Sequence, residues 1–244
     1  MKLFHDIIQD VRSFMQKPRS SFSLKEFHSV SEIPWPEAGP RDIILQSDTG
    51  VELGNPRDHS VSFLVWTNDL SLVRDGSISL LGPDIGETDA NRLPFGRVVL
   101  IGGTGFDEEN CYARFREMDL SRYDISLKGY MMRAVSQYMR EWSRISREAV
   151  ENRFSLPLLG SAMMRQLKTF DYVKSVEVLF VTSSNPDVLE LKQTGDRFIR
   201  IINAMTRMAE DHNLDCETCE FQPVCNEAEE LRRMHKVLKE KQPI

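Results

Sequence analysis

Three of the four cysteines stand close together, as Cys216, Cys219 and Cys225 in the run LDCETCEFQPVC. The C-x2-C-x5-C pattern is metal-ligand spacing, because a CxxC pair can place two thiolates on one metal and the third cysteine can close around it. Soft thiolates select iron–sulfur clusters or zinc, and this spacing alone does not decide between them. The pattern therefore predicts a metal or cluster site in this segment.

The sequence does not decide which residue is the fourth ligand of such a site. Cys111 lies far upstream and serves only if the fold brings it to the other three, and His212 is a second candidate because it is near Cys216 in sequence. The alternative of disulfides requires an oxidising compartment. The run MKLFHDIIQDVRSFMQK has no uninterrupted apolar stretch of the kind that directs export, so we expect a reducing, cytoplasmic environment.

A second chemical feature lies between Gly129 and Asn152, in GYMMRAVSQYMREWSRISREAVEN. We predict a helix here, on which four arginines fall within about 60° of one another at 100° per residue: Arg133, Arg140, Arg144 and Arg147. Trp142 points away from this stripe. Guanidinium forks bind phosphate or carboxylate bidentately, so the stripe suits an anionic ligand. The alternative is a solvated face held by i,i+4 pairs such as Arg144 with Glu148.

The elements that position these residues suggest an α+β fold with a mixed sheet, helices packed on it and a C-terminal cysteine-rich metal-binding segment. Leu3, Ile7, Val11 and Phe14 share the face of a first helix. Strands are predicted at DIIL, SVSFLVW, SISLL, RVVLIGG and SVEVLFVT, and a long helix from about Pro186 to Asp211. We predict an N-terminal helix and linker at 1–40, an α+β core at 41–213 and the cysteine segment with a terminal helix at 214–244.

Composition narrows the class of protein. The chain has 244 residues, of which 41% are hydrophobic, and this is enough to bury a full core. A net charge of −6 and a pI near 5.5 make nucleic acid an unlikely partner, because nucleic-acid-binding domains are usually basic. No apolar run approaches the ~20 residues that a membrane span requires.

From Asp75 to Cys225 the chain resembles the acetyl-CoA synthase subunit, the beta subunit of the carbon monoxide dehydrogenase/acetyl-CoA synthase complex. The resemblance rests on DGSISLLGPDI with LPFG, on KGYMMRAVSQYMREWSRISREAVENRFSLPLLG, on SVEVLFVTSSNPDV and on CETC with a later cysteine. The ELGNP run from Glu52 is also similar to a turn of the family. Each motif is short, and their preserved order carries the resemblance.

The resemblance implies site residues and cofactors. A tryptophan and neighbouring arginines of the family's central region are associated with coenzyme A, which implies roles for Arg140, Trp142 and Arg144, with Arg133 of the same stripe beside them. The family's cluster cysteines correspond to Cys216, Cys219 and Cys225, which favours a 4Fe–4S cluster, with Cys111 as the candidate fourth ligand and zinc as the alternative.

The departures from the family pattern limit the expected activity. The third cysteine follows after a shorter gap than in the family, and no Cys-Gly-Cys pair for nickel follows Cys225. We therefore expect an accessory iron–sulfur protein of anaerobic one-carbon or acyl-CoA metabolism, serving electron transfer, docking or binding of a CoA-type ligand, with a protein partner or a second copy of itself. The alternatives are an enzyme whose open-iron cluster is completed by a partner chain, and a zinc-stabilised interaction module. Whether the chain is itself an enzyme stays open.

Overall fold

The computed structural model describes residues 2–19, 22–39, 42–136, 139–210 and 219–240. Within these residues nine strands and seven α-helices are formed. The strands are β1 (Leu24–His28), β2 (Thr49–Leu53), β3 (Ser60–Thr67), β4 (Ser77–Leu81), β5 (Arg92–Leu93), β6 (Phe95–Gly103), β7 (Tyr130–Ser136), β8 (Arg140–Ser146) and β9 (Val173–Val181). The helices are α1 (His5–Gln16), α2 (Cys111–Leu120), α3 (Arg147–Glu151), α4 (Leu156–Leu167), α5 (Asn185–Glu210), α6 (Gln222–Glu227) and α7 (Glu229–Glu240).

The strands form two mixed sheets. The large sheet has the order β1-β4-β9-β6-β3, with parallel β3–β6 and β4–β9 pairs, and the small sheet has the order β5-β2-β8-β7. The α+β class predicted from the sequence is thus confirmed. The predicted strands at SVSFLVW, SISLL, RVVLIGG and SVEVLFVT are confirmed as β3, β4, β6 and β9.

Helices cover both faces of the large sheet, which explains why its central strands are continuous apolar runs. Gly160 of α4 lies against Ile78 and Phe180, whereas Gly195 of α5 lies against Val61 and Phe63 on the opposite face. A side chain at either glycine would meet these core groups, so the two helices approach the sheet closely.

The first helix is confirmed and is attached to the large sheet by charge as well as by apolar contacts. Glu177 of β9 is buried and binds the guanidinium groups of Arg12 on α1 and of Arg74. Burial alone would raise the pKa of Glu177, but the hydrogen bonds from Arg12 and from the backbone N–H of Arg74 hold it below its ordinary value. Glu177 is therefore ionised at neutral pH and anchors α1.

A buried ion pair joins the two sheets. Arg97 of β6 (4% exposed) lies 2.8 Å from the carboxylate of Glu141 of β8 (0% exposed). Ser62 of β3 accepts from Arg97 at 2.8 Å and donates to Glu141 at 3.2 Å, and Tyr130 of β7 donates to the other carboxylate oxygen at 3.3 Å. The backbone N–H of Ser62 also donates to the carbonyl of Met139 at 2.8 Å, so the start of β8 is fixed beside β3.

The structure corrects two sequence predictions. The segment Gly129–Asn152 is not one helix but the antiparallel pair β7–β8 followed by α3. Its many helix-forming residues suggested a helix, but strand pairing overrides such weak preferences. Likewise the run DIIL from Asp42 is not a strand, and Ile43 within it is 69% exposed. The strand of this region is β2, and neither β2 nor β1 was predicted from the sequence.

The predicted division of the chain into 1–40, 41–213 and 214–244 stays a prediction. The described part of the chain contains no helix long and apolar enough to cross a bilayer.

Removing the Glu141 carboxylate tests the link between the sheets. Glu141→Ala leaves Arg97 buried without its anion, so we expect a loss of about 3–5 kcal/mol of unfolding free energy, measured by urea denaturation. Glu148→Ala breaks the exposed pair with Lys128 and serves as the control, with a far smaller expected change. Equal losses in the two variants would contradict a special role for the buried pair.

Candidate ligand-binding cleft

An open cleft of about 720 Å³ lies along the small sheet. Its walls come from β2, the turn after β2, β5, β8 and the first residue of α3. The lining residues are Gln46, Thr49, Gly50, Glu52, Asn55, Pro56, Arg57, Asn91, Arg92, Trp142 and Arg147. The cleft is therefore rich in arginine and amide side chains, with one large aromatic ring.

Strand alternation in β8 determines which side chains reach this cleft. Successive side chains of a strand point to opposite faces. Glu141, Ser143 and Ile145 are buried on one face. Trp142 lines the cleft on the other face, and Arg140 and Arg144 belong to that same face because they lie two residues to either side of it. The predicted helical stripe was thus wrong in its geometry, because Trp142 lies with the arginines and not away from them.

The structure brings all four predicted ligand-binding residues together. The guanidinium carbons of Arg133 and Arg144 each lie 5.5 Å from the Trp142 ring centroid. Arg140 donates to the backbone carbonyl of Asn55 at 3.4 Å, at the rim of the cleft. Cation–π contact of this kind orients both the ring and the guanidinium groups.

Arg144 is already occupied by protein groups. It is buried and donates to Glu52 at 2.8 Å, to the carbonyl of Ile44 at 3.3 Å and to the side chain of Gln46. Because its hydrogen bonds are made to protein groups, Arg144 stabilises the floor of the cleft, beside the Trp142 ring. It contributes less to a ligand than an exposed arginine does.

Two exposed arginines of the cleft, Arg57 and Arg92, were not singled out from the sequence, and a third, Arg147, was singled out only as part of the predicted arginine stripe. Arg57 follows β2, Arg92 lies on β5 and Arg147 begins α3. Glu52, the acidic residue of the lining, is ion-paired with Arg144. Of the three exposed cations, Arg92 has a carboxylate near it, that of Asp58 outside the lining, at 3.9 Å. The cleft is consequently cationic although the chain carries a net charge of −6.

The cysteines fall in a different part of the molecule. Cys216 and His212 lie outside the described residues. Cys219 and Cys225 line a smaller, mainly apolar cavity of about 270 Å³ between α5, α6 and α7, together with His235. Among the described residues no three His, Cys, Asp or Glu side chains form a group that could hold a metal ion.

Cys111 is not among the residues that line this cavity. It is fully buried at the start of α2, and burial raises the pKa of its thiol to about 12. The neighbouring Glu108 binds Arg233 of α7 at 3.1 Å, so the C-terminal helix does approach this end of α2. The assignment of Cys111 as a metal ligand stays a prediction.

The fold and the cleft define a class: an α+β protein of two mixed sheets with a cationic, tryptophan-containing cleft along the smaller one. The model of one protein family, described as the CO dehydrogenase/acetyl-CoA synthase complex beta subunit, matches residues 39–186. This match covers more than half of the chain, so the chain belongs to that family. No curated protein matches the chain. The matched residues contain the whole cleft, whereas the C-terminal cysteines lie beyond them.

Gly54 forms the turn that carries one wall of the cleft, with φ of +63°. A Cβ at this position would collide with the carbonyl oxygen of Glu141 and would lie 2.8 Å from the Ser60 hydroxyl. We expect Gly54→Ala to lose about 1–3 kcal/mol of stability. Gly86→Ala is the control, because a Cβ there meets open space. Thermal unfolding of both variants checks this, and equal melting temperatures would refute the constraint.

Proposed function

We propose that this chain is an accessory member of the acetyl-CoA synthase beta family and that its cleft binds a CoA-type phosphorylated ligand. The observation that supports this most directly is the convergence of Arg57, Arg92 and Arg147 around Trp142 in one open cleft. These residues come from separate parts of the chain, so their convergence is a property of the fold.

The chemistry of the cleft suits such a ligand. Exposed guanidinium groups bind phosphate oxygens through paired, charge-assisted hydrogen bonds. The amides of Asn55 and Asn91 add neutral donors and acceptors that a nucleotide base or a pantetheine chain can use. An indole ring offers an apolar surface for a base, with the neighbouring guanidinium groups of Arg133 and Arg144 setting its orientation.

Membership of a family named for a complex favours a protein partner. We propose that the chain acts within or beside such a complex, in the cytoplasm and in anaerobic one-carbon or acyl-CoA metabolism. Carrying or docking a CoA-type ligand is the role that the cleft supports. The alternative, catalysis at an open-iron cluster completed by a partner chain, rests on Cys216, Cys219 and Cys225.

Binding of coenzyme A to single-arginine variants tests the cleft. We expect Arg147→Ala and Arg92→Ala each to weaken binding by about 10- to 100-fold, because a hydrogen bond to a charged group contributes about 1.5–3 kcal/mol. Isothermal titration calorimetry with coenzyme A, dephospho-coenzyme A and pantetheine measures the effect and shows which phosphates matter.

Arg165→Ala is the matched control for these variants, since Arg165 is an exposed arginine of α4 outside the cleft. Its affinity for coenzyme A should equal that of the unaltered protein. Absence of measurable binding by the unaltered protein would refute the proposed ligand class, and equal losses in all three variants would refute the cleft as the site.

A second function is proposed for the cysteine segment, namely binding of a 4Fe–4S cluster, or of zinc as the alternative. The ligand spacing of Cys216, Cys219 and Cys225 supports it, and so does the lining of one cavity by Cys219, Cys225 and His235. When bound, a cluster would supply electron transfer or an open iron site. The described thiols would act as its ligands.

Metal analysis of cysteine variants purified without oxygen tests this second function. Cys225→Ser should lose most of the bound iron or zinc, because it removes a thiolate from the set. Cys111→Ser separates a closed site from an open one: loss of metal would make Cys111 the fourth ligand, and full retention would leave the position to another group. Unchanged metal content in Cys225→Ser would refute the segment as a metal site.

A further inference from the structure

Among the described residues that line the cleft, Glu52 of β2 is the one acidic residue. Its side chain is almost completely buried, with 3% of the residue exposed. A carboxylate beneath a site for anions is unfavourable for binding if charge alone matters, because it attenuates the field of the arginines. Its hydrogen bonds show what it contributes instead.

One set of contacts runs from Glu52 to the tryptophan. The carboxylate accepts from Nε of Arg144 at 2.8 Å, which holds that guanidinium within 5.5 Å of the Trp142 ring centroid. The carbonyl of Ile44 and the side chain of Gln46 complete the bonding of Arg144. Glu52 thus fixes the position of Arg144, and Arg144 in turn fixes the position of the Trp142 indole.

A second set of contacts runs from Glu52 to the turn after β2. The side-chain amide of Asn55 donates to the Glu52 carboxylate, and its amide oxygen accepts from the backbone N–H of Arg57 at 3.0 Å. The carbonyl of Asn55 accepts from Arg140 at 3.4 Å and from the backbone N–H of Asp58 at 2.7 Å. The turn that presents Arg57 is therefore ordered around one amide that Glu52 fixes.

We propose that Glu52 is a positioning residue that holds Trp142 and Arg57 in their binding arrangement at the same time. This inference rests on the proposed binding of a CoA-type ligand in the cleft. The change in ligand affinity expected on neutralising Glu52 is therefore opposite to the change that charge alone predicts. Neutralising Glu52 removes a negative charge from beneath an anion site and nevertheless weakens binding, because both walls of the cleft lose the group that orders them.

The test compares two isosteric substitutions that each remove one negative charge. Glu52→Gln is expected to bind coenzyme A about 5- to 20-fold more weakly than the unaltered protein in calorimetry at a temperature where both are folded. Asp58→Asn is the matched control. Asp58 lies 3.9 Å from Arg92 and has no side-chain contact with Arg144 or Asn55 among the hydrogen bonds and ion pairs of the described residues. Its substitution should leave the affinity unchanged or increase it.

A double-mutant cycle separates positioning from a loss of overall stability. Arg57→Ala should weaken binding less in the Glu52→Gln background than in the unaltered protein, because Arg57 is already displaced there. A merely structural role of Glu52 would lower the melting temperature and leave the two Arg57 effects equal. Should Glu52→Gln lose cooperative unfolding, Glu52→Asp carries the test, because it keeps the charge but shortens the side chain that reaches Arg144 and Asn55. Weaker binding by Glu52→Asp supports the positioning role, and unchanged affinity contradicts it.

These binding measurements test separately whether the cleft binds coenzyme A and whether Glu52 positions the cleft. If the unaltered protein binds coenzyme A and Arg147→Ala weakens binding, but Glu52→Gln binds equally well or more tightly, the positioning role is refuted and the cleft stands. If the unaltered protein binds no coenzyme A, the proposed ligand and this inference are refuted together.

Discussion

The arrangement of the two sheets depends on the buried ion pair between Arg97 and Glu141. Two charges removed from water are costly unless their hydrogen bonds are satisfied, and here Ser62 and Tyr130 provide the remaining partners. Because these residues come from both sheets, the network is complete only in one relative position of the sheets. The pair therefore selects a geometry more than it adds stability.

The buried ion pair also determines the geometry of the cleft, because β8 carries both Glu141 of the pair and Trp142 of the cleft. Glu141 and Trp142 are neighbours on that strand, so fixing the carboxylate in the core directs the indole to the opposite face. A shift of β8 by one residue would exchange the two faces and place Trp142 where the carboxylate now is. Gly54 reinforces the register, since its close approach to the Glu141 carbonyl leaves no room for another residue.

Elements with one strong local signal could be predicted from the sequence. The long apolar runs of β3, β6 and β9 and the periodic helices α1 and α5 were recognised from their patterns. The β7–β8 hairpin could not be predicted, because its residues favour a helix locally and the pairing of the two strands is a tertiary effect. The resemblance pointed to Arg140, Trp142 and Arg144 despite that failure, and their role in binding a ligand stays a prediction. Arg57 and Arg92 were missed, since only the parallel pairing of β2 with β5 brings them to the same cleft.

The contacts that shape the cleft lie within the part of the chain that the family match covers. Glu52, Asn55, Trp142 and Arg144 are held by groups between Ile44 and Arg147, and none of their described hydrogen bonds reaches α5, α6 or α7. The cysteine cavity is built from those three helices. The geometry of the cleft is thus determined without the cysteine segment, and a ligand can be recognised there whether or not a metal is bound. For this reason the two proposed functions are separable, and the loss of one by mutation leaves the other intact.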